Sequence, residues 1–216
     1  MSFAALFFLS RLGVFFLQVI LVSIVPHHRS SASQQVAEAS TEHLGVKDVL
    51  FIFINQFVET VFLREVNLIA SEVGATNFFP PPFSYIALPI YSVAAALLLL
   101  FADDFLYEKL HALLHRDRYL YKFVHGHHHK ATRPTRGYID AINENPLEMI
   151  AALLLNLFAI RILEPLLTVA SIGLFLLLKA IFAIINHLDR GFSIAFYSSE
   201  RHSIHHSIRN AYFGQM

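Results

Sequence analysis

The sequence predicts an all-α integral membrane protein with about four transmembrane helices and a helical cap that is rich in histidine. Composition is the first reason: 56% of the 216 residues are hydrophobic and only 15% are charged, whereas soluble domains are about 45–50% apolar and about 25% charged. The second reason is segment order, because long apolar runs alternate with polar stretches that hold most histidines. Of the 13 histidines, ten lie between His111 and His206.

Composition also excludes several kinds of site and partner. The chain has no cysteine, so disulfides, thiolate metal sites and iron–sulfur clusters are excluded. Lys and Arg together number 16, as do Asp and Glu. Because these charges balance, nothing in the composition indicates a nucleic acid as a partner.

Two apolar runs lie in the N-terminal part of the chain. Residues 2–25 carry a single charge, Arg11, and are long enough to span a bilayer. A cleaved signal peptide is the alternative, although its apolar core would normally be only about 7–15 residues long. Residues 48–70 are apolar but contain charged side chains such as Glu59. They form either a second span or a helix in the membrane interface.

The remaining apolar runs predict three further membrane helices. Residues 84–102 are typical of a transmembrane helix. Residues 149–185 are apolar apart from an interruption at Arg161–Pro165, and their length fits two short or tilted helices with a turn there. Polar, histidine-rich segments at 103–146 and 186–216 flank this hairpin.

Positive charge predicts the orientation in the membrane. Seven Lys and Arg residues lie between residues 109 and 136, and cytoplasmic loops are enriched in these residues. The hairpin at 149–185 returns the chain to the same side. Both histidine-rich segments are therefore expected to meet on the cytoplasmic face.

The histidines occur in clusters whose spacing suits metal binding. HALLH at 111–115 places two histidines four residues apart, on one face of a helix. HGHHH at 125–129 and HSIHH at 202–206 both contain His-x-x-His-His, and a single histidine lies between them. Imidazole is a common ligand of Zn, Cu, Fe and Ni, and nine imidazoles are too many for one ion but enough for two. The predicted ligands are His111, His115, His125, His128, His129, His187, His202, His205 and His206.

The other histidines are predicted to lie outside the metal cluster. If the second cluster is α-helical, at about 100° per residue, His127 points away from the face that its other three histidines share. Three more histidines lie in the polar loop 26–46, have no ligand spacing and are interpreted as solvated. They are His27, His28 and His43.

The three clusters together resemble the three-box pattern of the fatty acid hydroxylase/sterol desaturase superfamily of integral membrane di-iron enzymes. Asp103 and Tyr107 match the family's approach to the first box, and Pro134 follows the second box as it does in the family. Pro146–Glu148 matches the P-x-E element that comes next, and His187 matches the lone histidine before the third box. This combined spacing is more specific than any single box.

The resemblance implies an oxidoreductase that uses O2 to hydroxylate or desaturate a lipid, such as a sterol or a fatty acyl chain, in lipid biosynthesis. It implies two Fe ions, for which Zn can substitute in purified protein, and an external electron donor of the cytochrome b5 type. The implied location is the endoplasmic reticulum membrane. The expected domains are N-terminal membrane helices and loop at 1–102 and a fatty acid hydroxylase/sterol desaturase-like domain at 103–216, which includes the hairpin at 149–185.

Five carboxylates are candidates for orienting the imidazoles through their second ring nitrogen. For each of them, a helix cap or a solvated charge is the alternative. These carboxylates belong to Asp103, Glu144, Glu148, Asp189 and Glu200.

The sequence also departs from the family pattern. Ala112 stands where the family usually has Arg, Asn145 stands where it often has His, and the last residues, NAYFGQM, lack the family's Phe-Gly-Thr element. The predicted metal ligands are unaffected. The alternatives to an active enzyme are a catalytically impaired metal-binding membrane scaffold and a metal-handling membrane protein. A metal transporter would carry His or Asp inside its spans, and the predicted spans are nearly free of both.

Overall fold

The computed structural model describes residues 2–25, 44–76, 84–130, 134–188, 192–194 and 197–208. A two-stranded antiparallel hairpin pairs β1 with β2, and the other elements are helices, so the predicted all-α class is confirmed. The helices are α1 Phe3–Ile24, α2 Val46–Thr76, α3 Ser84–Arg116, α4 Arg118–Phe123, the 3-10 helix η1 His125–Lys130, α5 Tyr138–Ala141, α6 Pro146–Leu163, the 3-10 helix η2 Glu164–Leu166, α7 Val169–Asn186 and α8 Ser199–Ser207; β1 is Ser193–Ile194 and β2 is Tyr197–Ser198.

Among the described residues, four helical segments are long and apolar enough to cross a membrane, which confirms the expected number. They are Phe3–Ile24, Leu88–Arg116, Pro146–Leu166 and Val169–Asn186. Large apolar side chains on these segments remain exposed, including Phe8 and Phe15 of α1 and Leu154 of α6. Such outward-facing apolar surface suits contact with lipid tails.

Helix α2 is not one of these four segments, although it is one continuous helix of 31 residues. It packs against α1, α6 and α7 and buries Val66 and Ile69 while exposing Phe53 and Phe57. Its apolar character is interrupted by charged residues such as Glu59. Both alternatives for this segment, a span and an interfacial helix, therefore stay open.

Helix α3 extends well beyond the predicted span of 84–102 and carries the first histidine box on its last turns. Hydropathy falls at Asp103, but a change to polar residues marks the edge of the apolar segment and does not end a helix. Asp103 is buried, and its Oδ2 accepts a hydrogen bond from Lys179 Nζ of α7 at 2.6 Å. The ion pair lets the helix continue with this charge inside the bundle.

The turn of the C-terminal hairpin comes slightly later than the predicted Arg161–Pro165. Helix α6 runs to Leu163 and α7 begins at Val169. Thr168 and Ser171 form a reciprocal capping box at the start of α7, and this cap defines the end of the turn. The histidines of the 26–46 loop and Asp189 lie outside the described residues.

The bundle core lies between α3, α6 and α7, where Leu99, Ile160 and Phe175 are fully buried. The C-terminal ends of α3 and α7 lie at the same end of this bundle, together with the start of α6, η1 and α8. Both histidine-rich segments thus meet at one end of the molecule.

Candidate metal centre

The nine histidines that the sequence predicts as ligands converge in two groups. Within each group, one candidate ligand atom from every residue lies within 4.8 Å of all the others. The five-histidine group consists of His111, His115, His125, His129 and His205, and the four-histidine group consists of His128, His187, His202 and His206.

The two His-x-x-His-His motifs divide between the groups in the same way. In each motif the first and last histidines, four residues apart, join one group, and the middle histidine joins the other. His128, the middle histidine of the motif in η1, joins the four-histidine group. His205, the middle histidine of the motif in α8, joins the five-histidine group. Each motif therefore belongs to both groups and holds them side by side.

The second cluster is helical, but it is a 3-10 helix and not the predicted α-helix. With three residues per turn, His125 and His128 lie above one another. The tight path has a local cause at Gly126, where an added Cβ would lie only 2.9 Å from the carbonyl oxygen of Tyr121. Only glycine permits this close approach of η1 to α4.

Distances between the ring nitrogens fit ligands arranged around ions. In the five-histidine group, neighbouring Nε2 atoms are 2.9–3.1 Å apart. In the four-histidine group, Nε2 of His202 lies 3.2 Å from that of His187 and 3.1 Å from that of His206. At a metal–nitrogen distance of about 2.1 Å, adjacent ligands are roughly 3.0 Å apart in an octahedron and roughly 3.4 Å apart in a tetrahedron. Several buried imidazoles facing one another cannot all be hydrogen-bond partners, so this donor set fits metal ions.

Burial favours the neutral form of four of these imidazoles, and the neutral form is the one that binds a metal. His125 is fully buried, and burial lowers its pKa to about 4. Burial and the neighbouring imidazoles together lower the pKa of His128, His129 and His202 well below that of a free histidine.

Two of the nine imidazoles are oriented through their second ring nitrogen. Oε1 of Glu148, a fully buried residue in the first turn of α6, lies 2.6 Å from Nδ1 of His125. Nδ1 of His187 donates to the carbonyl oxygen of Ala183 at 2.8 Å. Such contacts fix the tautomer and direct Nε2 of each ring toward the other histidines of its group.

The other described carboxylates of the predicted set do different things. Asp103 pairs with Lys179, as described above. Glu144 is buried, and burial together with the nearby Glu148 raises its pKa well above the usual value. Glu200 is exposed in the first turn of α8, where a negative charge favours the helix N-terminus.

His127 belongs to neither group. Its Nε2 lies 3.1 Å from Oδ1 of Asn143 and 3.2 Å from Oδ1 of Asp48, and its ring packs edge-on against Phe51. Asp48 also accepts a hydrogen bond from Lys130 Nζ at 3.2 Å. These contacts connect η1 to the start of α2. Sequence reasoning missed Asp48, which looks like an ordinary charge in the first turn of a helix.

A cavity of about 460 Å³ lies inside the bundle and reaches the four-histidine group. His128, His187 and His202 line it, whereas the five-histidine group contributes none of the described residues in its wall. The rest of the wall is mostly apolar and includes Phe62 and Phe175. An apolar cavity with a few convergent polar groups is typical of a binding site for a greasy small molecule.

The family model for fatty acid hydroxylase matches residues 96–216. The chain belongs to this family. The resemblance to the fatty acid hydroxylase/sterol desaturase superfamily is therefore confirmed. The matched region contains all nine histidines of the two groups, and family members are in general O2-dependent enzymes that hydroxylate or desaturate lipids. No match to the chain was found among curated proteins or among solved structures.

One departure from the family pattern has a structural role in this chain. Asn145 caps α6, because its Oδ1 accepts a hydrogen bond from the N–H of Leu147 at 2.9 Å. Its Nδ2 donates to the carbonyl oxygen of Phe123 at 2.9 Å. Asn145 thus connects the end of α4 to the turn of α6 that carries Glu148.

Proposed function

We propose that the protein is a membrane-bound di-iron oxygenase that hydroxylates or desaturates a lipid, using O2 and electrons from an external donor of the cytochrome b5 type. One observation carries the proposal: two groups of imidazoles, eight buried and one half-buried, lie side by side, and one group borders a mostly apolar cavity. Membership of the fatty acid hydroxylase family supports the same reaction class.

The nine histidines are proposed to hold one ion in each group. Iron is proposed because the reaction needs a metal that changes oxidation state, which zinc does not do. When bound, two iron ions would supply O2 activation and the removal of a hydrogen atom from an unactivated C–H bond. Zinc can occupy the same imidazoles in purified protein.

The residues of the chain would bind the ions and the lipid, orient the imidazoles and shield the site from water. Glu148 and the carbonyl of Ala183 hold His125 and His187 in the orientation that the ions require. The packed ends of α3, α6 and α7 keep water from the buried imidazoles, which protects a reactive site from side reactions. The cavity admits the lipid chain and brings it to the four-histidine group.

The donor is proposed to dock on the exposed basic residues around the histidine-bearing end. These residues are Lys109, Arg116, Arg118, Lys122 and Lys130. A positive patch attracts an acidic partner and speeds its association. The same charges support a cytoplasmic orientation of this end, and the endoplasmic reticulum is the proposed membrane.

The test combines metal content with oxygen consumption. Protein purified in mild detergent is expected to contain about two metal ions per chain and, loaded with iron, to consume O2 only with both a reductant and a lipid extract. A folded protein without metal would contradict the proposal. Metal without O2 consumption would favour the non-catalytic scaffold. Lipid profiling of cells that lack the protein then identifies the substrate.

A further inference from the structure

A second polar cluster lines the same cavity, and it involves the only charge of helix α1. Nη1 of Arg11 donates to Oε2 of Glu59 at 2.6 Å and also to the hydroxyl of Tyr138, and that hydroxyl donates to the same carboxylate oxygen. The three residues come from α1, α2 and α5. Ionisable groups inside membrane spans are costly and as a rule mark functional sites.

The cluster is electrically neutral, but one carboxylate oxygen of Glu59 accepts no hydrogen bond from the described residues. Glu59 compensates the charge of Arg11. Its Oε2 accepts the hydrogen bonds from Arg11 and from Tyr138, whereas no donor from the described part of the chain reaches its Oε1. The Glu59 side chain is 22% exposed. A hydroxyl or an amide N–H can donate to such an oxygen, whereas a free carboxylate cannot and is repelled by it.

The other cation in the wall is also paired. Nζ of Lys179 donates to Oδ2 of Asp103 at 2.6 Å. Among the described residues that line the cavity, apart from the histidines, Arg11 and Lys179 are the cations. Neither is left to compensate an acid, so a free fatty acid whose carboxylate lay beside Arg11 would leave its charge without a partner.

The cluster has a fixed connection to the four-histidine group. Gly137, the residue before Tyr138, donates its N–H to the carbonyl oxygen of His187 at 2.8 Å. Gly137 has a positive φ of 61°, a conformation that glycine adopts without strain. The backbone that positions the Tyr138 ring is thus hydrogen-bonded to a residue of the four-histidine group.

We propose that Arg11, Glu59 and Tyr138 form a head-group subsite for a neutral lipid that carries a hydroxyl or an amide, and that free fatty acids are excluded. This proposal rests on the proposed oxidation of a lipid at the histidine groups. The subsite holds one end of the lipid, and the connection through Gly137 sets which carbon reaches the four-histidine group. Glu59 and Arg11 are the residues that determine specificity.

Binding of two matched probes tests the subsite without turnover. Radiolabelled 1-octadecanol and octadecanoate have the same chain and differ in the head group. With metal-loaded protein in mild detergent at neutral pH, the alcohol is expected to bind about ten-fold more tightly, which corresponds to one hydrogen bond to a charged acceptor.

Two substitutions should change this preference in opposite directions. Glu59→Gln leaves the charge of Arg11 uncompensated and should reverse the preference, so that octadecanoate binds more tightly. Arg11→Gln leaves the charge of Glu59 uncompensated and should increase the discrimination against octadecanoate. Glu65→Gln removes an exposed carboxylate from the same helix and should leave the preference unchanged.

Equal binding of both probes to the wild-type protein would overturn the subsite. So would a preference that moves in the same direction in Glu59→Gln and Arg11→Gln, or that moves as much in Glu65→Gln. If one of these two variants fails to fold, the direction in which the other changes the preference still tests the subsite. Metal content and O2 consumption, measured on the same samples, report separately on the proposed function.

Discussion

The five-histidine group and the four-histidine group lie side by side but have different surroundings. A buried carboxylate, Glu148, contacts the five-histidine group through His125, whereas a backbone carbonyl contacts the four-histidine group through His187. Three members of the four-histidine group line the cavity. No member of the five-histidine group is among the described residues of the cavity wall.

From this difference we infer that the two groups have different roles in binding metal and in facing the substrate. A carboxylate partner raises the basicity of an imidazole and so strengthens its bond to a metal. We propose that the five-histidine group, with one more imidazole and this carboxylate, retains its ion tightly. We propose that the four-histidine group, which lines the cavity, is the one that faces the substrate. Substitutions in the two groups should therefore have different effects on metal content and on activity.

The largest effect is expected for His128→Ala, which leaves three imidazoles in the four-histidine group. Activity should fall by about 100-fold or more, because losing a ligand costs more than losing a ligand's orienting partner. Elemental analysis should show the loss of about one of two ions. His127→Ala, one residue away, is the control and should keep most activity and metal. Equal losses in both variants would refute the assignment of His127 outside the groups.

His205→Ala sharpens the comparison, because His205 is the middle histidine of the other motif. Four imidazoles and the Glu148 contact remain in its group. We therefore expect a smaller loss of metal than in His128→Ala, together with a loss of activity of about ten- to 100-fold. The measurement is metal content after dialysis against increasing chelator. If His205→Ala releases its ion as readily as His128→Ala, the two groups do not differ in retention.

Spacing and residue type were enough to predict which histidines come together. All nine lie in the two groups, although binding of metal by them stays a prediction. The division into two groups could not be predicted, because it depends on how η1 and α8 face each other across the end of α3. The local conformation of residues 125–129 was also missed: the α-helical period was assumed, and residue type alone does not reveal how closely Gly126 approaches the carbonyl oxygen of Tyr121.

The fold shows the same limit. Apolar runs predicted the four membrane helices, but the polar sequence after residue 102 concealed the continuation of α3, which depends on the partner of Asp103 in α7. Arg11 stood out as a lone charge in an apolar run, and Glu59 as one of the charges in residues 48–70. Their pairing with Tyr138 joins residues far apart in the chain, and only packing reveals it.

Glu148→Gln tests whether the carboxylate accounts for the difference between the groups. The amide keeps the size of the side chain but replaces the buried acid group whose Oε1 contacts Nδ1 of His125. Metal affinity of the five-histidine group, or activity, should fall by about ten-fold. Glu200→Gln removes an exposed carboxylate from the first turn of α8, the helix that carries the third histidine cluster, and should change neither. If Glu148→Gln behaves like Glu200→Gln, the carboxylate does not distinguish the groups.

Asp48→Asn should have the smallest effect and should affect both groups alike, because η1 contributes histidines to both. Although burial opposes ionisation, hydrogen bonds from the N–H of Gly45, from Asn143 and from Lys130 lower the pKa of Asp48 below its usual value. A carboxyl group with a lowered folded-state pKa stabilises the protein above its unfolded-state pKa of about 3.9, and this contribution is lost as the pH falls through the folded-state pKa.

At neutral pH the stabilising contribution of Asp48 is fully present, so Asp48→Asn should reduce the free energy of unfolding by about 1–3 kcal/mol. Thermal unfolding in detergent at neutral pH measures the loss, and the difference from wild type should shrink in strong acid. Lys130→Ala removes one half-exposed partner and should cost less than about 1 kcal/mol. Unchanged stability in Asp48→Asn would show that η1 is held by its histidines alone. Loss of metal from only one group would show that the two groups do not share η1 as a common support.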